Sequence, residues 1–265
     1  MSGNEAFELV TEHGWNRGLG TMLRSGLRRW FKTRSWWVNC LIWGVAVIAI
    51  VGGLAFSRPG VTPLSIIIMV FTEIVGLFPA VGVVIIMQDA LVGEKREGTA
   101  AWVLSKPVTR QAFLLSKLIS NSLGVIVSMI VAPSIVGYIL ISIDQQSLLN
   151  PIGFLECMLI FFIVDFFFLS LTLMLGVLFS NRAPVIGIPL AVVLLQQNLI
   201  GLIPSLRFIL PSTLTFPMEN SNPLAISLIL HTPVQQEQWL ILAMILFECV
   251  LFVGVSLWRF NREEF

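Results

Sequence analysis

The sequence predicts an all-α membrane protein with six transmembrane helices. Of its 265 residues, 56% are hydrophobic and only 12% are charged, whereas roughly a quarter of the residues in a soluble domain are charged. Six apolar runs are long enough to cross a bilayer, and the charged residues are concentrated between them. A chain surrounded by lipid must satisfy its own backbone hydrogen bonds, so we expect these runs to be helices.

Each run holds about 20 residues or more, the helical length that crosses a hydrocarbon core of about 30 Å. We call them the first to the sixth span, and they are predicted at residues 36–56, 64–87, 118–143, 152–179, 183–206 and 239–258. The first run follows some 35 polar, Arg-rich residues, which is too late for a cleaved signal peptide. We therefore expect it to remain in the mature protein, where residues 35–258 form the transmembrane domain.

Positive charge decides the predicted orientation. If the N-terminus is inside, fourteen of the sixteen Lys and Arg residues fall on the cytoplasmic side, and only Arg58 and Arg207 fall outside. Cytoplasmic loops of membrane proteins carry such an excess of Lys and Arg. Both termini are therefore expected in the cytoplasm, with the chain in the cell (inner, cytoplasmic) membrane. The formal net charge of +1 gives no basic field for binding nucleic acid.

Residues 1–34 are predicted to be a cytoplasmic tail that ends in an amphipathic helix. At about 100° per residue, apolar side chains occupy one half of this helix and cations the other. The apolar half contains Leu19, Met22, Leu23, Leu27, Trp30 and Phe31, and the cationic half contains Arg17, Arg24, Arg28 and Lys32. We expect the helix to lie in the membrane interface, with its cations toward lipid phosphates and Trp30 toward the acyl chains. A positively charged flank of the first span is the alternative.

A cytoplasmic loop is predicted at residues 88–117, between the second and third spans. Neighbouring helices are usually joined by about two to eight residues, so the length of this loop suggests that it contacts a partner. Gly93 and Gly98 superficially match a phosphate-binding loop, but Thr99 stands where that loop needs lysine. The chain itself is therefore not expected to bind ATP.

Residues 207–238 combine four prolines with apolar stretches such as residues 224–230. Prolines at this spacing exclude a long helix, and the apolar stretches argue against a solvated loop. We predict a re-entrant or interfacial segment on the external side, with a flexible external loop as the alternative. Residues 259–265 form the predicted cytoplasmic C-terminal tail.

Several polar residues fall at membrane depth. The second, fourth and sixth spans each have a central acid, and the fifth has three consecutive amides: Glu73, Asp165, Glu248, Gln196, Gln197 and Asn198. An acid at a helix centre costs about 2.5 to 3.5 kcal/mol. These groups therefore either line a polar pathway or form hydrogen bonds between helices. Three consecutive residues cannot share one helix face, so at least one amide should meet a cavity or another helix.

No catalytic or metal-ligating pattern is found in the sequence. His13 and His231 are predicted on opposite sides of the membrane, and the three cysteines are far apart, without metal-ligand spacing. The motifs H-E-x-x-H and G-x-S-x-G are missing. We therefore do not expect an enzyme or a metal site in this chain.

The segment from Gln88 to Lys117 resembles the cytoplasmic signature of ABC type-2 export permeases. The matching residues, in order, are Glu94, Glu97, Gly98, Thr99, Leu104, Ser105, Pro107, Arg110, Ser116 and Lys117. The predicted order of interfacial helix, six spans and broken external segment before the last span is also similar to this family. One departure is the alternating charge of residues 94–97, because the family commonly has a less charged stretch before the Gly-Thr pair.

The resemblance implies a membrane subunit that pairs with a second permease, identical or related, and with two cytoplasmic ATPase subunits. Those subunits would bind ATP and Mg, and this chain would need no cofactor of its own. The long loop would be a coupling helix whose ATPase-coupling residues are Glu94, Lys95, Arg96, Glu97, Gly98, Thr99, Pro107 and Arg110. The resemblance also places the second and fifth spans beside the substrate pathway, with Glu73, Gln196, Gln197 and Asn198 lining it.

Two other functions remain open at this stage. A stand-alone ion- or proton-coupled carrier could use Glu73, Asp165 and Glu248 as protonation sites. Its usual inverted halves have no counterpart in the sequence, because residues 36–143 and 152–258 show no repeat. A non-transporting membrane scaffold could use the long cytoplasmic loop only for docking.

Overall fold

A computed structural model describes residue 14 and residues 16–57, 62–217 and 222–262. Six helices in these parts of the chain are long and apolar enough to cross a membrane, which confirms the predicted fold class. The spans run Trp36–Phe56, Leu64–Arg96, Arg110–Asp144, Pro151–Leu178, Arg182–Leu202 and Gln236–Phe260. Outside the described residues lie His13, Arg58, the first residues of the predicted N-terminal tail and the last residues of the predicted C-terminal tail.

Three shorter helices also lie in the described parts of the chain. We call Leu19–Lys32 the N-terminal helix, Thr99–Leu104 the connector helix and Leu224–Leu230 the return helix. Two 3₁₀ turns, Pro204–Phe208 and Pro211–Leu214, follow the fifth span. With the return helix they form the returning segment, which we define as residues 204–217 and 222–235.

The second and fourth spans form the centre of the bundle. Within their most apolar stretches, 61% of the second span and 67% of the fourth are buried in the protein, against 22% of the sixth. The ring of Phe71 in the second span packs on Phe154 and Phe161 of the fourth, with centroids 5.4 and 5.8 Å apart. The first, fifth and sixth spans expose rows of apolar side chains, including Leu41, Leu194 and Val250. Such faces suit lipid or another apolar protein surface.

The second span is interrupted at Leu77 and Phe78. The N–H groups of Leu77 and Phe78 both donate to the Glu73 carbonyl, at 3.0 and 3.1 Å. Leu77 leaves helical geometry and Pro79 starts the next helical segment. Since proline has no N–H group to donate, it fits the first position of a helical segment better than its interior.

The second span also continues beyond its predicted end. A π-helical turn at Asp89–Gly93 carries the helix on to Arg96, and the third span begins early, at Arg110. The expected loop at residues 88–117 is therefore corrected to a connector of residues 97–109. Helix persists through charged residues because Glu94 accepts a hydrogen bond from Lys117 of the third span.

The N-terminal helix packs on the third span. Trp30 lies over Gly124 and donates through Nε1 to Asn121 Oδ1 at 2.8 Å, while Gly26 lies against Ser120. Because Trp30 is only 8% exposed, the expectation that it reaches the acyl chains is wrong. Apolar side chains gain as much from a protein surface as from lipid, and the two glycines allow close helix approach.

The bundle has two unlike ends. At what we call the basic end, the Thr109 amide donates to the Arg17 carbonyl at 3.2 Å, and Arg110 Nη1 donates to the Asn261 carbonyl at 2.9 Å. The first and last described parts of the chain therefore meet at the connector, as an even number of spans requires. The assignment of this end to the cytoplasm stays a prediction.

At the opposite end the returning segment enters the bundle and leaves it again. The Thr72 hydroxyl donates to the Thr215 carbonyl at 3.1 Å, and the Ser212 amide donates to Gln196 Oε1 at 3.2 Å. Thr72 is eight residues inside the second span, or about 12 Å along the helix. The segment predicted at residues 207–238 thus folds back against the second and fifth spans, and its place relative to the membrane stays a prediction.

Candidate coupling surface and polar groups in the membrane

The connector projects from the basic end as a short helix with exposed side chains. Gly98 ends the second span with a φ of +71°, a left-handed conformation that favours glycine. On the connector helix that follows, Trp102 is 61% exposed. The Nζ atom of Lys106 lies 3.6 Å from the centroid of the Trp102 ring. A rigid, exposed tryptophan of this kind is typical of residues that anchor protein interfaces.

Glu94 joins three elements behind this surface. Its carboxylate accepts a hydrogen bond from Lys117 of the third span and lies 3.8 Å from Arg29 Nη1 of the N-terminal helix. The Glu94 and Lys117 side chains are only 15% and 16% exposed. This low exposure weakens solvent screening, so their attraction is stronger than that of a surface pair.

Other contacts connect the same end with the remaining spans. They are the hydrogen bonds from Lys95 Nζ to the Val177 carbonyl at 3.2 Å and from Arg182 Nη2 to Asp89 Oδ1 at 3.1 Å, and the stacked rings of Phe113 and Phe260 with centroids 5.8 Å apart. Together with the Arg110 hydrogen bond to Asn261, these contacts link the ends of the second, third, fourth, fifth and sixth spans. The two helices that flank the connector are thus both held against other spans.

The eight predicted coupling residues fall into two groups. Glu94, Lys95 and Arg110 contact other spans and Thr99 is half-buried, whereas Arg96, Glu97, Gly98 and Pro107 are exposed. Sequence reasoning did not single out Trp102, Asp89 or Arg182. A lone tryptophan beside Lys106 in a charged connector was a usable signal for the first, but nothing in the sequence linked Asp89 with Arg182.

The four predicted pathway residues occupy different environments. Gln196 is fully buried, and its amide donates to the Val193 carbonyl at 3.2 Å while its oxygen holds Ser212. Gln196 therefore fixes the returning segment inside the chain. Gln197 and Glu73 are half-buried and Asn198 is exposed, so part of each side chain is accessible, while Glu73 Oε1 is buried without a hydrogen-bond partner among the described residues.

A cavity of about 600 Å³ opens at the opposite end beside Gln197. Its wall includes the ion pair between Arg207 Nη2 and Glu237 Oε1, 2.9 Å apart, together with Thr213 and Gln238. The Gln197 Nε2 atom is buried without a hydrogen-bond partner in the part of the chain that the structure describes. The cavity thus combines charged, amide and hydroxyl groups at one end of the fifth span.

The other two predicted intramembrane acids differ in burial. Asp165 is fully buried, and neither of its carboxylate oxygens has a hydrogen-bond partner in the described parts of the chain. Glu248 is half-buried, and one of its oxygens is buried without a partner among the same residues. Within the described residues, Glu73, Asp165 and Glu248 form no ion pairs, and no group of three or more His, Cys, Asp or Glu residues could hold a metal ion.

Comparison with known families adds one finding. A family model described as ABC-2 family transporter protein matches residues 61–265. The match covers the second to sixth spans, the connector and the returning segment, whereas the N-terminal helix and the first span lie outside it. No curated protein matches the sequence significantly.

Proposed function

Since this chain belongs to the ABC-2 family of transporter proteins and is an ABC-type permease, we propose that it is the permease subunit of an ATP-driven exporter. In this proposal it pairs with a second permease, identical or related, to form the substrate pathway. Two separate ATPase subunits bind ATP and Mg on the cytoplasmic side of the cell membrane. Both termini and the basic end face those subunits.

The proposal rests on the exposed connector and on the ion pairs that hold Glu94 at the end of the second span. Trp102 and Glu97 are exposed and available to a partner, while Glu94, directly before them, is held by Lys117 and Arg29. When the ATPases close on ATP, they press on the connector helix. The second span, third span and N-terminal helix then move together and reorient the pathway.

We further propose that this chain has no ATPase activity of its own. The local geometry supports this, because Gly98 caps the second span and is followed by the short helix Thr99–Leu104. A phosphate-binding loop instead connects a strand to a helix and carries a lysine, at the position that Thr99 occupies here. ATP hydrolysis is therefore expected only in the complex.

We place the pathway along the second and fifth spans. The fifth span packs along Pro79–Gln88 of the second span. Nearer the opposite end, Ser212 is hydrogen-bonded to the fifth span and Thr215 to the second. Half-buried Glu73 and exposed Asn198 are available to line the pathway there. Gln197 would face the pathway through the cavity at the opposite end.

The ATPase interface is tested by co-expressing the chain with a co-encoded ATPase and measuring their affinity in nanodiscs. Trp102→Ala is expected to weaken the association by at least about tenfold, as truncation of an interface anchor does. The matched control is Trp258→Ala, because Trp258 is 56% exposed at the same end but lies outside the connector. Equal effects of the two variants, or no association with any ATPase, would overturn the proposed interface.

Coupling is tested in the assembled complex, in a background where Cys40, Cys157 and Cys249 have been replaced by alanine. Asn198→Cys is then introduced, and the rate at which a thiol reagent labels it is measured. ATP should change this rate severalfold, and Glu97→Lys should abolish the change while ATP hydrolysis continues. Arg24→Gln is the control, because Arg24 is exposed on the N-terminal helix. ATP hydrolysis by the isolated chain, or pH-driven transport in liposomes without ATPase, would favour an independent enzyme or a carrier instead.

A further inference from the structure

A second cavity, of about 490 Å³, lies at the basic end between the N-terminal helix and the first, second and third spans. One wall is apolar and includes Ile85 and Ile86, and the other carries Arg29, Lys117 and Asn39. Asn39 lies three residues after the start of the first span at Trp36, or about 5 Å along the helix. The cavity is therefore at the level where lipid headgroups meet the hydrocarbon core.

The charges around this cavity do not balance. Arg29 and Lys117 share Glu94, and Arg182 pairs with Asp89. Arg29, Lys117 and the Asp89 carboxylate line the cavity. Together with their ion-pair partners Glu94 and Arg182 they make three cations and two carboxylates, which leaves one positive charge. A single phosphodiester, with one negative charge, would neutralise it, and cations at the base of transmembrane helices are typical headgroup partners.

A buried acceptor in the same cavity defines a second requirement. Gln88 lines the cavity and is 6% exposed, and its Oε1 atom has no hydrogen-bond partner among the described residues. A buried carbonyl oxygen left without a partner costs free energy, so it favours a ligand that donates a hydrogen bond. By contrast, neighbouring Asn121 is satisfied by Trp30 and by the Lys117 carbonyl.

We propose that this cavity binds one anionic glycerophospholipid with a hydroxylated headgroup, of the phosphatidylglycerol type, from the leaflet at the basic end. The phosphodiester lies beside Arg29 and Lys117, and a headgroup hydroxyl donates to Gln88 Oε1. The acyl chains leave along Ile85, which is 52% exposed. This is a defined site within one chain, distinct from general contact with lipid, and it does not depend on the proposed transport function.

Native mass spectrometry of the purified full chain in detergent tests the site. With equal amounts of phosphatidylglycerol and phosphatidylcholine added, one phosphatidylglycerol should be retained with at least about tenfold preference, as charge-assisted hydrogen bonds predict. Inorganic phosphate and glycerol phosphate at millimolar concentration should not displace it. Equal retention of the two lipids, or displacement by free phosphate, would overturn the proposal in favour of non-specific or soluble-anion binding.

Phosphatidylmethanol isolates the role of Gln88, because it carries the same charge but has no headgroup hydroxyl. The chain should prefer phosphatidylglycerol over it by about fivefold, the effect of one neutral hydrogen bond, and Gln88→Leu should remove that preference. If this variant does not fold, the comparison of the two lipids on the unmodified chain still decides. Equal binding of the two lipids to the unmodified chain would contradict the assigned acceptor.

Two neighbouring arginines provide the matched charge test. Arg29→Gln should reduce phosphatidylglycerol retention by about tenfold, because it removes a charged donor from the cavity. Arg28→Gln should leave retention unchanged, since Arg28 is exposed on the opposite half of the same helix. Equal effects of the two substitutions would show general attraction to the basic surface and would refute the site.

Discussion

The two ends of the bundle are held together by different kinds of contact. At the basic end, charged side chains reach across the bundle, as Glu94 does to Lys117 and Lys95 does to the Val177 carbonyl. At the opposite end, neutral groups form most of the cross-links in the described structure, as Thr72 does with the Thr215 carbonyl. A long charged side chain can adjust while keeping its partner, whereas two backbones in contact cannot. The basic end therefore combines the close packing of Trp30 on Gly124 with pairing between charged side chains, whereas the opposite end depends mainly on close packing and neutral hydrogen bonds.

The packing at the opposite end depends on two close approaches. A Cβ atom on Gly153 would overlap the Leu228 carbonyl oxygen of the return helix, and one on Gly76 would meet Phe161 and Thr215. Glycine is needed at these positions because only it leaves room for the neighbouring segment. The position of the returning segment at this end is therefore fixed by close packing against these two glycines.

The largest expected effect is at the basic end, where Glu94→Gln would leave Lys117 and Arg29 without their carboxylate. Loss of one partner from a largely buried pair costs about 3 kcal/mol, so the melting temperature should fall clearly in nanodiscs. The control is Glu97→Gln, because Glu97 is exposed on the connector. If both variants melt alike, the bracing role of Glu94 is wrong.

A somewhat smaller loss is expected at the opposite end for Gly153→Ala. The new methyl group would displace the return helix and reduce the free energy of unfolding by about 2 kcal/mol. Gly254→Ala is the control, since nothing lies within 4 Å of a Cβ atom at that position. Thermal unfolding followed by circular dichroism measures both, and an unchanged melting temperature for Gly153→Ala would refute the close approach.

The smallest effects are expected for the exposed ion pairs, one at each end. Arg182→Gln and Arg207→Gln remove cations whose side chains are 42% and 41% exposed, and each should cost less than about 1 kcal/mol. In about 1 M salt, where the Debye length is about 3 Å, even this difference should disappear. A larger cost for Arg182 alone would mean that surface charge also braces the basic end.

The spans could be predicted from the sequence because hydrocarbon selects long apolar runs, and the first span matches at both boundaries, Trp36 and Phe56. The predicted second span ends too early, at residue 87, because Asp89–Arg96 is too charged to be recognised as part of a span. In the structure, partners from other elements satisfy these charges: Arg182 binds Asp89 and Lys117 binds Glu94. Such pairing between distant parts of the chain has no signature in a single sequence.

The site was predictable to a similar degree. The connector could be located from the resemblance of its motif, and four of its eight named residues are exposed. The apolar stripe alone does not decide whether Trp30 is buried, because such a stripe looks the same whether lipid or protein covers it. Gly26 on that stripe was the available signal, since a small residue there allows another helix to approach.

The Thr72 hydroxyl has a consequence for biosynthesis. Its partner Thr215 lies 143 residues later in the chain, so the second span is synthesised and inserted well before the returning segment exists. The same hydroxyl oxygen lies 2.8 Å from the Met69 carbonyl of its own helix, which is an alternative acceptor for its one proton. The nascent span can therefore wait in the bilayer without an unsatisfied hydroxyl, and docking of residues 211–215 becomes a late step of assembly.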